Sequence, residues 1–141
     1  MMYQSTCYCT NARRSSNILS EYYDAALCDT GLTVSQYFLL VNLSRLGKAN
    51  ITHWAEWVGL DRSTMVRNVK VLEKYGYLEL AEGNGKTFAL SEKGKTVLEK
   101  AVPAWEQAQS QMETLLGKED AKALLRIGAK LQQMKGEIGK G

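Results

Sequence analysis

Asp61-Arg62-Ser63-Thr64-Met65-Val66-Arg67-Asn68-Val69-Lys70-Val71-Leu72-Glu73-Lys74-Tyr75-Gly76 has the pattern of one capped amphipathic helix. Asp61 offers the side-chain oxygen that satisfies free N–H groups at a helix start, and Gly76 ends the run. Met65, Val69 and Leu72 fall at i, i+4 and i+7, so they share one face that has to be buried. Around the outside stand Arg62, Ser63, Thr64, Arg67, Asn68, Lys70, Val71 and Lys74. That surface suits the major groove of DNA. Arg bonds bidentately to guanine and Asn to adenine, while Ser, Thr and Lys reach phosphates or base edges. Taken alone, a basic helix is more often a solvated face than a base reader, so the flanking segments decide its meaning.

Upstream, Thr52 is expected to cap a short helix through Val58, ended by Gly59, and Val58-Gly59-Leu60-Asp61 joins it to the basic helix. Two short helices joined by a tight turn form the helix-turn-helix pattern. Downstream, Tyr77-Leu78-Glu79-Leu80 and Lys86-Thr87-Phe88-Ala89-Leu90 alternate apolar and polar residues around Glu82-Gly83-Asn84-Gly85, whose Asn-Gly pair signals a hairpin. A hairpin there is the wing of a winged helix-turn-helix, placed to reach toward the minor groove.

The outer segments read as helices. One spans about Cys7 to Cys28 and stops at Asp29-Thr30-Gly31. Thr33 and Gln36 make a capping box for a second, which runs to about Leu46 and is apolar nearly all round, as a core helix must be. Ser91 caps a long helix reaching Leu116, with a kink expected at Pro103. The last helix, about Lys118 to Lys135, carries Leu124, Ile127, Leu131, Met134 and Ile138 on one stripe. Two heptads are too few for a free coiled coil; the stripe packs on the first helix or on a second subunit. Trp54 and Trp57 are expected to pack the third helix against its neighbours, and Trp105 to pack within the long helices. The fold class is mainly α with a small β-hairpin wing, divided as 1–32, 33–100 and 101–141.

Whole-chain properties agree. At 141 residues, 45% hydrophobic and with one proline, the chain is about one domain. Its net charge of +3 is uneven: residues 1–61 carry −1, residues 62–100 carry +3 and residues 101–141 carry +1. No stretch approaches the ~18 to 20 apolar residues of a membrane helix, and the first residues lack a signal region, so a cytoplasmic protein with no membrane partner is expected. Three cysteines in the first 28 residues cannot close a set of intrachain disulfides and read as reduced thiols. One histidine, no Gly-rich phosphate loop and no spaced catalytic set argue against an enzyme. Structural zinc needs four ligands, so neither a metal nor another cofactor is expected.

Gly31-Leu32-Thr33-Val34-Ser35-Gln36-Tyr37, the run Trp54 to Gly76 and Leu90-Ser91-Glu92-Lys93-Gly94 resemble the MarR (multiple antibiotic resistance regulator) family over roughly residues 7–135, most densely from Leu60 to Gly76. The resemblance implies a homodimer with interlocked N- and C-terminal dimerisation helices. It also implies two winged lobes set in successive major grooves of a palindromic operator in double-stranded DNA, and repression relieved by a small molecule or an oxidant. One departure stands out. The family wing carries an acidic residue and an arginine two positions on, where this chain has Glu82 and Asn84, leaving Lys86 as the nearest cation. A winged-helix interaction module that binds no DNA is the reading this departure favours; the intact basic helix opposes it.

Two triggers fit the first helix. The hydroperoxide-sensing branch of the family keeps a reactive cysteine at the position of Cys9 and a tyrosine at that of Tyr23, although Arg13 and Val34 stand where two further tyrosines belong. Arg13 lies four residues beyond Cys9 on the same face, which favours a thiolate; Cys9 as a small packing residue is the plain alternative. The other trigger is a small aromatic or apolar acid in a cleft lined by Arg14, Tyr23 and Tyr37.

Overall fold

A computed structural model describes residues 3–83, 85–136 and 138. The order of elements is α1 (Tyr8–Leu27), α2 (Val34–Leu46), β1 (Ala49–Asn50), α3 (Ile51–Val58), α4 (Arg62–Lys74), β2 (Leu78–Ala81), β3 (Thr87–Leu90), α5 (Glu92–Leu116) and α6 (Lys118–Gln133). The chain forms two compact units, Met1–Trp105 and Glu106–Gly141, and the boundary falls inside α5.

In the first unit α1 buries only Leu27 and ends in a 3-10 turn at Cys28–Thr30, where Gly31 takes a left-handed φ of 90°. Thr33 and Gln36 form the expected capping box at the head of α2. This helix puts Tyr37, Leu39, Leu40 and Leu43 into the core, while Phe38 stays partly exposed. Leu27, Leu40, Trp54, Met65, Leu72 and Phe88 are the centre of that core, each at most 1% exposed. α2, α3, α4 and the sheet therefore share one apolar interior. α5 runs as one helix through Pro103.

The start of α3 differs from expectation. Asn50, not Thr52, is its cap: the Asn50 side chain accepts from His53 N at 2.8 Å. The reason is a strand too short to show a period. Ala49 and Asn50 pair antiparallel with Phe88 and Thr87, so the chain is extended through Asn50 and turns helical at Ile51. The wing is thus the outer part of a three-stranded sheet in the order β1-β3-β2. β2 pairs with β3 from Leu78↔Leu90 to Ala81↔Thr87. The expected turn residue Asn84 lies outside the described residues.

Two tryptophans also depart from expectation. Trp54 is fully buried and donates from Nε1 to Leu39 O, but Trp57 is 56% exposed and only its Nε1 is engaged, by Asn42 Oδ1 at 3.1 Å. Trp54 fills the core beneath α3, and Trp57, the penultimate residue of this 8-residue helix, stays at its edge with the indole N–H held by α2. Trp105 stacks on Tyr37 of α2, ring centroids 5.6 Å apart, and so belongs to the first unit's core.

In the second unit, Leu124, Ile127 and Leu131 of α6 are all exposed, as are Met134 and Ile138 beyond it. No helix among the described residues is long and apolar enough to cross a membrane.

Candidate nucleic-acid interface

The buried face of α4 is Met65, Val69 and Leu72, and fixing it in the core fixes the opposite side outward. Arg62, Ser63, Arg67, Lys70 and Lys74 are exposed, while Thr64 and Asn68 are half-buried at the edge of the contact with α2 and α3. All seven lie on one helix whose only acidic residue is Glu73.

Its first turn is organised by Asp61. The carboxylate accepts from Thr64 N at 2.8 Å, from Ser63 Oγ at 2.8 Å and from Thr64 Oγ1 at 2.9 Å. These bonds, led by the backbone N–H of Thr64 and aided by the Arg67 charge, hold the Asp61 carboxyl down to about 2. Arg67 Nη2 donates to Thr64 Oγ1 at 3.4 Å, and Asn68 Nδ2 donates to Thr64 O at 2.9 Å. Ser63, Thr64, Arg67 and Asn68 are therefore steered by their neighbours on the helix.

The wing is held on two sides, by α4 and by the loop between α2 and β1. Lys86 Nζ lies 3.8 Å from Glu73 Oε2 and 5.4 Å from the Phe88 ring centroid. Lys48 Nζ donates to Glu82 O at 3.0 Å. At its base Ser91 N donates to Tyr77 O, Ser91 Oγ donates to Gly76 O, and Gly94 N donates to Ser91 Oγ at 3.0 Å, which caps α5 as expected. Lys48 was not singled out in the sequence. Its partner is a backbone carbonyl 34 residues away, and no local pattern encodes such a contact.

The residues considered for sensing fall at separate places. Cys9 is exposed in the first turn of α1, and Arg13 Nη2 reaches its Sγ at 3.9 Å. Cys7, at the cap position, has a thiol lowered by hydrogen bonds, first from the backbone N–H of Thr10, then from its side chain and from the backbone of Cys9. Arg14 Nη1 donates to Tyr3 O at 2.5 Å and lines a cavity of about 320 Å³ with Ser5, Asn11 and Ile18. Tyr23 meets Tyr22 edge-on at 5.5 Å, and Tyr37 is a core residue stacked on Trp105. Neither Tyr23 nor Tyr37 lines that cavity. A second cavity, of about 390 Å³, lies between α2, α3 and α4, lined by Val34, Phe38, Leu39, Val58 and Leu60 with Asn68 at its edge. Among the described residues no group of His, Cys, Asp or Glu is arranged to hold a metal ion.

Comparison with known proteins agrees with this geometry. Residues 32–80, from the head of α2 through the basic helix into the wing, match the MarR family. The transcriptional regulator MosR of M. tuberculosis, solved in complex with DNA, is 30% identical; the match covers 94% of this chain and 98% of that one, with a TM-score of 0.84. Two more distant structures share the fold. The repressor CouR, solved with p-coumaroyl-CoA, is 22% identical over 89% of this chain and 91% of its own, with a TM-score of 0.80. Bordetella bronchiseptica BpsR, whose DNA binding is regulated by 6-hydroxynicotinic acid, is 18% identical over 94% and 98%, with a TM-score of 0.81. Among curated proteins none matches the chain. A winged helix-turn-helix presenting one basic helix, matched over nearly its whole length by MosR, places the chain in the MarR family of transcriptional regulators.

Proposed function

We propose that the protein is a cytoplasmic, sequence-specific repressor, not an enzyme, which binds a palindromic operator as a homodimer and is released by an effector. The observation that carries this reading is α4: three buried apolar residues on one side, and on the other Arg62, Ser63, Thr64, Arg67, Asn68, Lys70 and Lys74 beside a wing that adds Lys86. Arg67 and Asn68 have the donor and acceptor sets that match guanine and adenine edges. Lys70, Lys74 and Lys86 supply the phosphate contacts that set register on the duplex. The DNA-bound state of MosR supports the partner. The exposed stripe of α6 supports the dimer, because a soluble chain leaves such a row of Leu and Ile open only where a second surface covers it.

Footprinting on genomic DNA, with and without peroxide, tests the reading. A protected palindrome upstream of a gene supports it, and retention of all DNA in the unbound fraction at low salt refutes it.

The Cys9–Arg13 contact favours an oxidant as the trigger: Cys9 Sγ is exposed with a guanidinium at 3.9 Å, and a cysteine sulfur is the nucleophile that attacks a peroxide oxygen. A sulfenic-acid probe that labels Cys9 after peroxide supports this trigger; absence of label removes it. A small-molecule effector is the other trigger, supported by the ligands of CouR and BpsR. The sequence offered Arg14, Tyr23 and Tyr37 for its site. Arg14 is the one of them that lines a described cavity, and the cavity beside Asn68 is the other candidate site.

A further inference from the structure

Ser63 and Thr64 stand in the first turn of α4 with both hydroxyls on the same carboxylate, Ser63 Oγ 2.8 Å from Asp61 Oδ1 and Thr64 Oγ1 2.9 Å from Oδ2. A carboxylate is an acceptor only, so in each bond the hydroxyl is the donor, and a hydroxyl has one hydrogen to give. What each side chain then offers to a ligand is its lone pairs. Thr64 has already spent part of that capacity on Arg67 Nη2 and is half-buried. Ser63 is exposed, and among the described residues its Oγ has no further partner.

This commitment of protons selects among the groups DNA presents. Phosphate oxygens are acceptors and find no donor on Ser63 Oγ. Guanine N7 and O6 and thymine O4 in the major groove are acceptors as well. The groups that donate there are the exocyclic amines, N4 of cytosine and N6 of adenine. The Asp61 charge works in the same direction, since it attracts a partly positive amine and repels a phosphate from a helix start that would otherwise welcome one. With the Asp61 carboxyl held down to about 2, that charge is present at neutral pH.

Resting on the DNA-binding reading above, we propose that Asp61 makes Ser63 an acceptor-only reader. The first turn of α4 then selects an amino base, adenine or cytosine, over a keto base, guanine or thymine, on the strand it faces. Ser63 is the specificity-determining residue and Asp61 its positioning residue.

Selection of full-length protein on a pool of random duplexes tests both levels. If the wild type enriches no palindrome, the DNA-binding reading fails and takes this inference with it. If it enriches one, Ser63→Ala is expected to keep the operator but lose the amino-over-keto preference at one position in each half-site. Affinity for the best site falls about three- to tenfold, the worth of one hydrogen bond. Where that base is adenine, replacing it by purine, which lacks the 6-amino group, lowers wild-type binding by the same factor and leaves Ser63→Ala unchanged. Asp61→Gly introduces a tolerated cap residue and withdraws the side-chain acceptor from Ser63, and it is expected to lose the same preference with helicity intact by circular dichroism. The inference is overturned if Ser63→Ala enriches an unchanged motif, if it weakens every sequence alike, or if the base it releases is guanine or thymine.

Discussion

Lys86 Nζ and Glu73 Oε2 lie 3.8 Å apart, so a cation of the wing is paired with the one acid of the basic helix. Both side chains keep substantial exposure, at 59% and 39%, and a pair of this kind contributes well under about 1 kcal/mol. Glu73→Gln is therefore expected to leave the melting temperature nearly unchanged. It also removes a negative charge beside the DNA and frees Lys86, so binding strengthens and its salt dependence steepens. Lys86→Ala does the reverse, reducing the salt slope by about one. Fluorescence anisotropy with labelled operator across a salt series checks both.

Arg67, in the second turn of α4, and Lys74, its last residue, separate two kinds of contact. Arg67→Ala is expected to cost about 1–3 kcal/mol on the preferred operator and to relax preference at one position. Lys74→Ala weakens specific and random duplexes alike. Competition titrations measure both, and equal behaviour of the two variants would falsify the assignment of Arg67 to base reading.

Acid should loosen the first turn of α4 in a defined window. The Asp61 carboxyl is depressed from its ordinary 3.8 to about 2, so its contribution is fully present above about pH 4 and is lost as pH falls through about 2. The stability difference between wild type and Asp61→Ser, followed by thermal melts from pH 7 to pH 2, is expected to be constant down to about pH 4 and to shrink below it.

Gly94 is a glycine because of space. A Cβ there would lie 2.2 Å from Tyr77 O, a backbone atom that also accepts from Ser91 N. Gly94→Ala has to push the base of the wing away from α5, at a cost of about 1–3 kcal/mol or more. Denaturant unfolding measures the loss, and reduced operator affinity at constant ionic strength accompanies it.

The α6 stripe predicts the oligomeric state. Leu131→Glu paired with Ile127→Glu places two charges on a face that is already exposed within the chain, so the folded protomer survives while the dimer does not. Light scattering at micromolar concentration is expected to report a monomer with native helicity and without high-affinity operator binding.

What the sequence discloses and what it hides divide along physical lines. Side-chain periods and caps are local, and they gave α1, α2, α4 and the wing with ends correct to a residue or so: Asp61, Thr33 and Ser91 all act as the hydroxyl or carboxylate caps they resemble. The basic face of α4 followed from Met65, Val69 and Leu72 alone. β1 was illegible because two residues carry no period, and its pairing with Phe88 and Thr87 spans almost 40 positions; the true cap Asn50 was missed with it. The same non-locality hid Lys48 on Glu82 O and the stacking of Trp105 on Tyr37. The orientation of the Ser63 and Thr64 hydroxyls depends on a carboxylate two and three residues away. It was open to a reading of the sequence, yet only distances show that both protons are taken.

Asn50 has two tasks within one residue. Its backbone pairs with Thr87 of the wing strand, and its side chain starts α3 by accepting from His53 N. No loop separates sheet from helix at that joint. A force that shifts β3, such as a duplex pressing on the hairpin, reaches the first helix of the reading pair with no slack to absorb it. The joint is therefore stiff: a shift of β3 is passed to the start of α3, and to α4 packed against it, instead of being taken up by a loop.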